Sequence, residues 1–129
     1  MKKIISAGFI TALLLGSCAR NDTYTIRPEP VVVTKKVSFS TDLQPIFTAN
    51  CALSGCHVSG GQNPDLTAAN SYASLKTGGF YNVANPAVSI IYEKLTGAQA
   101  PQMPLGKTPN PSNIEGLVLA WIQQGAKQN

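Results

Sequence analysis

The stretch Cys51-Ala52-Leu53-Ser54-Gly55-Cys56-His57 holds two of the chain's three cysteines and its only histidine. No other part of the sequence restricts the fold as strongly. Two thiols close in sequence join to each other, to a metal or to a cofactor, and a histidine beside one of them adds a nitrogen donor at the same place. The rest of the chain reads most simply as a shell around whatever this stretch holds.

The first residues are organised for export rather than for folding. Lys2 and Lys3 form a basic lead, and Ile4 to Leu15 is a mostly apolar run of signal-peptide length, too short to read as a membrane span. The run ends in Leu15-Gly16-Ser17-Cys18, which looks like a bacterial lipobox. Residues 1–17 are therefore expected to be a lipoprotein signal peptide, with Cys18 the acylated first residue of the mature chain. The expected location is outside the cytoplasm, anchored to a bacterial membrane and facing the periplasm or the cell exterior.

Charge agrees with that placement. The chain carries ten Lys and Arg against six Asp and Glu, but two of the ten, Lys2 and Lys3, leave with the signal. Lys35-Lys36 is the longest basic run that remains, so no patch suited to nucleic acid is present. Export also puts the surviving cysteine pair in an oxidising compartment, where a Cys51–Cys56 disulfide competes with other uses of the thiols.

Residues 18–37 read as a tether. Pro28 and Pro30 favour extended backbone, and Val31-Val32-Val33 makes either a short strand or an apolar strip lying on the domain. Residues 38–129 read as one small all-α domain of three to five short helices. The first runs from a Ser40 cap to about Asn50, with Asp42 in its first turn and Leu43, Ile46 and Phe47 on one face. Pro45 sits too late for comfort, so the helix begins there or bends before it. A second short helix is expected from Tyr72 to Lys76 after an Asn70 or Ser71 cap. A third starts at Asn85-Pro86, carries Val88, Ile91, Tyr92 and Leu95, and stops at Gly97. The last begins near Pro111 or Asn113 and places Ile114, Leu117, Val118, Trp121 and Ile122 on one face before Gly125. Long glycine- and proline-rich loops join these helices, leaving little apolar helix surface for a core. A flat apolar cofactor would supply the missing surface.

The Cys51–His57 stretch resembles the haem-attachment motif of c-type cytochromes, with four residues between the cysteines where the usual pattern has two. In that motif both cysteine sulfurs form thioethers to the porphyrin edge and the adjacent histidine reaches the iron from the same face. Cys56-His57 keeps this adjacency, and the small Ala52, Ser54 and Gly55 suit a longer loop. Apart from Met1, Met103 is the only methionine, and it lies in Pro101-Gln102-Met103-Pro104-Leu105-Gly106. That segment resembles the methionine loop of small monohaem cytochromes.

The order of parts is similar to class I cytochrome c over about residues 38–127. The resemblance implies one covalent haem c wrapped by the helices, with Cys51 and Cys56 as attachment points and His57 and Met103 as axial ligands. It also implies that Leu43 and Phe47 cross against Leu117, Val118 and Trp121. Tyr72, Phe80, Tyr81 and Tyr92 become candidates for haem packing, and Lys76 or Lys107 for holding a propionate.

The implied function is electron transfer to and from redox proteins at a membrane surface, with the bilayer itself engaged through acylated Cys18. It is an electron carrier's role rather than an enzyme's, since peroxidase-type chemistry wants an open distal side with polar groups. The alternative is a non-haem lipoprotein module for binding or structure, stapled by a Cys51–Cys56 disulfide. Zinc fits poorly because two cysteines and one histidine lack a fourth ligand. A thioredoxin-like pair would need another spacing and an α/β setting.

Overall fold

The computed structural model describes residues 31–107, 110 and 113–129. The expected signal peptide, Cys18 and the first part of the tether lie outside these residues. The described chain is all-α: a π-helical turn Phe39–Leu43 leads into α1 (Gln44–Asn50), followed by α2 (Ser71–Thr77), a 3-10 turn Pro86–Val88, α3 (Ile90–Thr96) and α4 (Ile114–Gln123). Among the described residues there is no strand, and no helix is long and apolar enough to cross a membrane.

Pro45 explains the split first helix. It has no N–H to give to the Thr41 carbonyl, and its ring crowds that carbonyl. The ladder slips by one residue instead, and the Gln44 N–H donates to the Phe39 carbonyl, one residue further back than in an α-helix. Pro45 then occupies the first turn of α1, where a missing donor is harmless. The sequence expected Ser40 as the cap. Ser38 takes that role, its hydroxyl accepting from the Thr41 N–H at 3.3 Å. Asp42 reaches back to the Ser38 N–H at 2.8 Å and also pairs with Lys35.

α3 differs at its start. The sequence read one helix from Asn85-Pro86, but the chain makes only a 3-10 turn there and α3 begins at Ile90 after Ser89. Asn85 makes no side-chain cap, and Val88 is 50% exposed rather than on the buried face. The end was legible: Gly97 closes the helix at φ 72°, a left-handed conformation that glycine adopts without strain.

None of these helices is long enough to persist alone in water, so tertiary packing holds them. The core is one cluster of Val37, Phe39, Leu43, Phe47, Leu66, Leu75, Ile91, Leu95, Ile114, Val118, Ala120, Trp121, Ile122 and Ala126. Trp121 is its centre. Phe39 lies 5.2 Å from it and Tyr81 5.0 Å, ring centroid to centroid, and Tyr72 packs edge-on at 6.4 Å. The indole N–H donates to the Lys127 carbonyl at 2.9 Å, so the one polar atom of this buried ring is satisfied. Leu43, Phe47, Val118 and Trp121 share this core, while Leu117 is only half-buried.

The segment after α4 laces the two ends of the chain together. The Asn129 carbonyl accepts from the Ser40 N–H at 2.9 Å, and Asn129 Oδ1 accepts from the Phe39 N–H at 2.9 Å. Val31 to Val37 makes no strand and lies along α4 instead. The Asn113 side-chain amide brackets the Val31 backbone at the helix start, at 3.1 and 2.8 Å. The Gln124 amide does the same for Lys35 and Val37 past its end, at 3.0 and 2.8 Å. Gly116 permits the approach: a Cβ there would stand 2.6 Å from the Val31 carbonyl oxygen.

Candidate functional site

The apolar face of α1 ends at Cys51, and the backbone then winds the sequence motif into a compact turn. The Cys51 and Ala52 N–H groups both donate to the Phe47 carbonyl, at 2.9 and 2.8 Å. The Cys56 N–H donates to the Leu53 carbonyl at 2.8 Å, and the His57 N–H returns to the Cys51 carbonyl at 3.0 Å. The four-residue spacer is thus a hydrogen-bonded loop that brings the backbone of His57 against that of Cys51. Gly55, at φ 76°, supplies its left-handed corner.

The two thiols stand in different surroundings. Cys51 is half-buried and Cys56 exposed, and they are not joined to each other. Burial pushes the Cys51 thiol up to about 11, tempered by the nearby Lys107 cation. Cys51 is therefore a protonated, apolar-facing thiol at neutral pH.

His57 is the most constrained side chain of the stretch. Its Nδ1 lies 2.9 Å from the Pro64 carbonyl oxygen and 3.2 Å from that of Gln62. A carbonyl can only accept, so Nδ1 carries a proton, and in the neutral ring Nε2 holds the lone pair. A ligating histidine is typically held this way, with its far ring nitrogen donating to a fixed oxygen. The loop that supplies the oxygen closes tightly beneath the motif. The Gln62 N–H donates to the Cys56 carbonyl at 2.8 Å, and a side chain on Gly61 would overlap that same carbonyl oxygen.

Met103 is positioned by α3. The last carbonyls of a helix have no partners within it, and here the Met103 loop provides them. Gln99 N–H donates to the Glu93 carbonyl at 3.1 Å and Met103 N–H to that of Lys94 at 2.8 Å. The Leu95 carbonyl takes both Gln102 Nε2 at 3.0 Å and Asn110 Nδ2 at 2.7 Å. The loop is an extended cap on α3, with the Met103 side chain half-buried. It reaches the end of α1 through Lys107, whose Nζ donates to Asn50 Oδ1 at 3.4 Å. Leu53 and Leu105, one on each of these two loops, are 41% and 67% exposed.

Cys51, Cys56 and His57 are thus gathered in one turn, and the segment after Met103 reaches the end of α1 just before that turn, through Lys107 and Asn50. The tyrosines expected near a cofactor divide differently, since Tyr72 and Tyr81 pack around Trp121. The Tyr72 hydroxyl donates to the Ala126 carbonyl at 3.1 Å, and burial, followed by a bond donated to Tyr72, pushes the Tyr81 hydroxyl up to about 12. Two cavities, of about 410 and 350 Å³, are lined by residues of the chain ends and of α2, not by the motif. Among the described residues, no group of three or more His, Cys, Asp and Glu is placed to share a metal.

Sequence reasoning missed Pro64, Asp65, Gln102 and Asn110. Pro64 acts through its carbonyl, which any residue carries. The amides of Gln102 and Asn110 had a faint signal, as polar side chains flanking a lone methionine just beyond a helix end. No family model, curated protein or solved structure matches the chain.

Proposed function

We propose that the chain is a lipid-anchored, monohaem c-type cytochrome that carries electrons between redox proteins at a membrane surface outside the cytoplasm. In this reading Cys51 and Cys56 hold the haem by thioethers, His57 and Met103 are the axial ligands, and Cys18 carries the acyl anchor. The observation that carries it is the Nδ1–H bond from His57 to the Pro64 carbonyl, directly beside Cys56. It fixes the tautomer that leaves Nε2 free to bind iron.

The donor set fits the group. Two unlinked thiols flank a loop tied back on itself, a histidine is oriented by a backbone carbonyl, and a half-buried thioether lies on the neighbouring loop. Leu53 and Leu105 leave apolar side chains exposed on the two loops that carry these donors. The haem supplies the redox chemistry. The chain's residues would do the rest: His57 and Met103 would hold the iron by one nitrogen and one soft sulfur, a donor pair that favours the reduced metal more than two histidines would.

The test is a visible spectrum of the mature protein from a host competent in haem attachment. Sharp c-type bands in the reduced state that survive acid–acetone extraction are expected, with a weak far-red band of the ferric form that Met103→Ala abolishes. A colourless protein overturns the reading, and a red protein without the far-red band removes Met103 as the ligand.

A further inference from the structure

Resting on the haem-ligand reading of His57, we propose that Asp65 is the positioning residue that sets the donor strength of this histidine, by clamping the segment that receives its ring proton. His57 is held twice by residues 64–66. Its ring Nδ1–H donates to the Pro64 carbonyl at 2.9 Å and its own carbonyl accepts from the Leu66 N–H at 2.8 Å. Asp65 lies between these two attachment points and is itself fixed from several sides.

One carboxylate oxygen, Oδ1, accepts from the Thr67 N–H at 2.9 Å and the Thr67 hydroxyl at 2.6 Å. The other, Oδ2, accepts from the Ser59 hydroxyl at 2.7 Å and Asn70 Nδ2 at 2.9 Å. The Asp65 N–H donates to the Ser74 hydroxyl on α2 at 2.9 Å. A single side chain therefore ties the start of the loop, at Ser59, to its end at Thr67 and Asn70, and closes it around His57. Pro64 and Leu66 on either side are buried, so the segment cannot drift outward without exposing apolar surface.

This arrangement bears on function because the Nδ1–H bond governs how much electron density the ring gives through Nε2. A short bond to a fixed carbonyl strengthens the imidazole as a donor and favours the oxidised metal, and a loose one does the reverse. Asp65 touches neither the ring nor the iron. It acts through the Pro64 carbonyl, so its loss should leave the ring proton only the longer contact to the Gln62 carbonyl at 3.2 Å, and raise the potential while leaving haem attached.

The chain's only histidine makes the test unambiguous. The full chain is labelled with nitrogen-15 histidine, purified from a haem-attaching host, and the exchange of the His57 ring N–H is measured in the reduced state. Asp65→Ala should speed exchange at least tenfold and move the midpoint potential upward, with Asp65→Asn intermediate. Tyr72→Phe, which gives up the bond to Ala126, should destabilise the fold without moving either quantity. If Asp65→Ala does not fold, the double variant Ser59→Ala/Thr67→Val, which removes two of the clamp's donors, reads the same quantities. Unchanged exchange and potential in the folded variant overturn the proposal. If no haem is found in any preparation, the cytochrome reading fails. The Asp65 clamp is then judged on the haem-free chain, by whether the Nδ1–H tautomer of the parent is lost in the variant.

Discussion

The two halves of the molecule are held by different forces. Around Trp121 the chain closes by apolar burial: Phe39, Phe47, Leu43, Val118 and Ile122 are all under 5% exposed, and Phe39 meets Phe47 edge to face and Trp121 at a tilt. Around His57 it closes by hydrogen bonds between backbone groups and short polar side chains, leaving Cys56 exposed and Cys51, His57 and Met103 only half-covered. The aromatic half is a finished core. The other half is a set of polar and sulfur side chains held by directional bonds, with Cys51 packed against the core and Cys56 exposed. Directional bonds fix geometry without filling space.

This contrast revises one expectation. Short helices and long loops suggested a fold dependent on a cofactor for its core, yet the aromatic cluster supplies a core at the other end of the chain's design. Stability and ligand geometry should therefore separate under mutation.

The largest effect is expected from Trp121→Ala. Deleting a fully buried indole with its bond to Lys127 should cost about 3–5 kcal/mol, a large share of a small domain's stability. Denaturant unfolding followed by circular dichroism measures it. A loss below about 1 kcal/mol would mean that the core lies elsewhere.

Gly61→Ala probes the other half. The new methyl must displace the Cys56 carbonyl, so about 1–3 kcal/mol is expected from local strain, together with a disturbed His57 ring signal. Trp121 fluorescence should stay native-like in the folded protein. A variant with native His57 signals would show that the loop has slack that the close approach denies.

The smallest effect concerns Asp42. The bond from Lys35, and after it that from the Ser38 N–H, hold its carboxyl below the usual value. Its ionised form is thus favoured by folding. That contribution is present above the ordinary carboxylate range and fades as pH falls through the lowered folded value. Asp42→Asn should flatten the acid limb of a stability–pH profile slightly. Raising salt should shrink the Lys35 part while sparing the Ser38 part.

What the sequence made legible follows the same division. Helical periodicity and glycine stops located α2, α4 and the end of α3, because apolar burial is written in residue type. Pro45 announced trouble in the first helix, and the slip to a π-turn is its physical outcome. The split at Ser89 was not legible: Val88 fits the helical period but is half exposed, and the α-helix begins only at Ile90. The sequence singled out Cys51, Cys56, His57 and Met103 by their rarity in this chain, and the structure sets the first three in one turn. The elements that aim them were hidden. They work through the carbonyls of Pro64, Lys94 and Leu95, and through the Asp65 carboxylate, whose partners are common loop residues.

The central claim is that the turn from Cys51 to His57 holds a covalent group by both thiols. Its most direct measurement is the mass of the intact mature chain from a haem-attaching host, before and after exhaustive alkylation under reducing, denaturing conditions. The account predicts one added haem and no alkylation at Cys51 or Cys56. A chain without added mass that takes up alkyl groups at both cysteines only after reduction would contradict it and point to the disulfide.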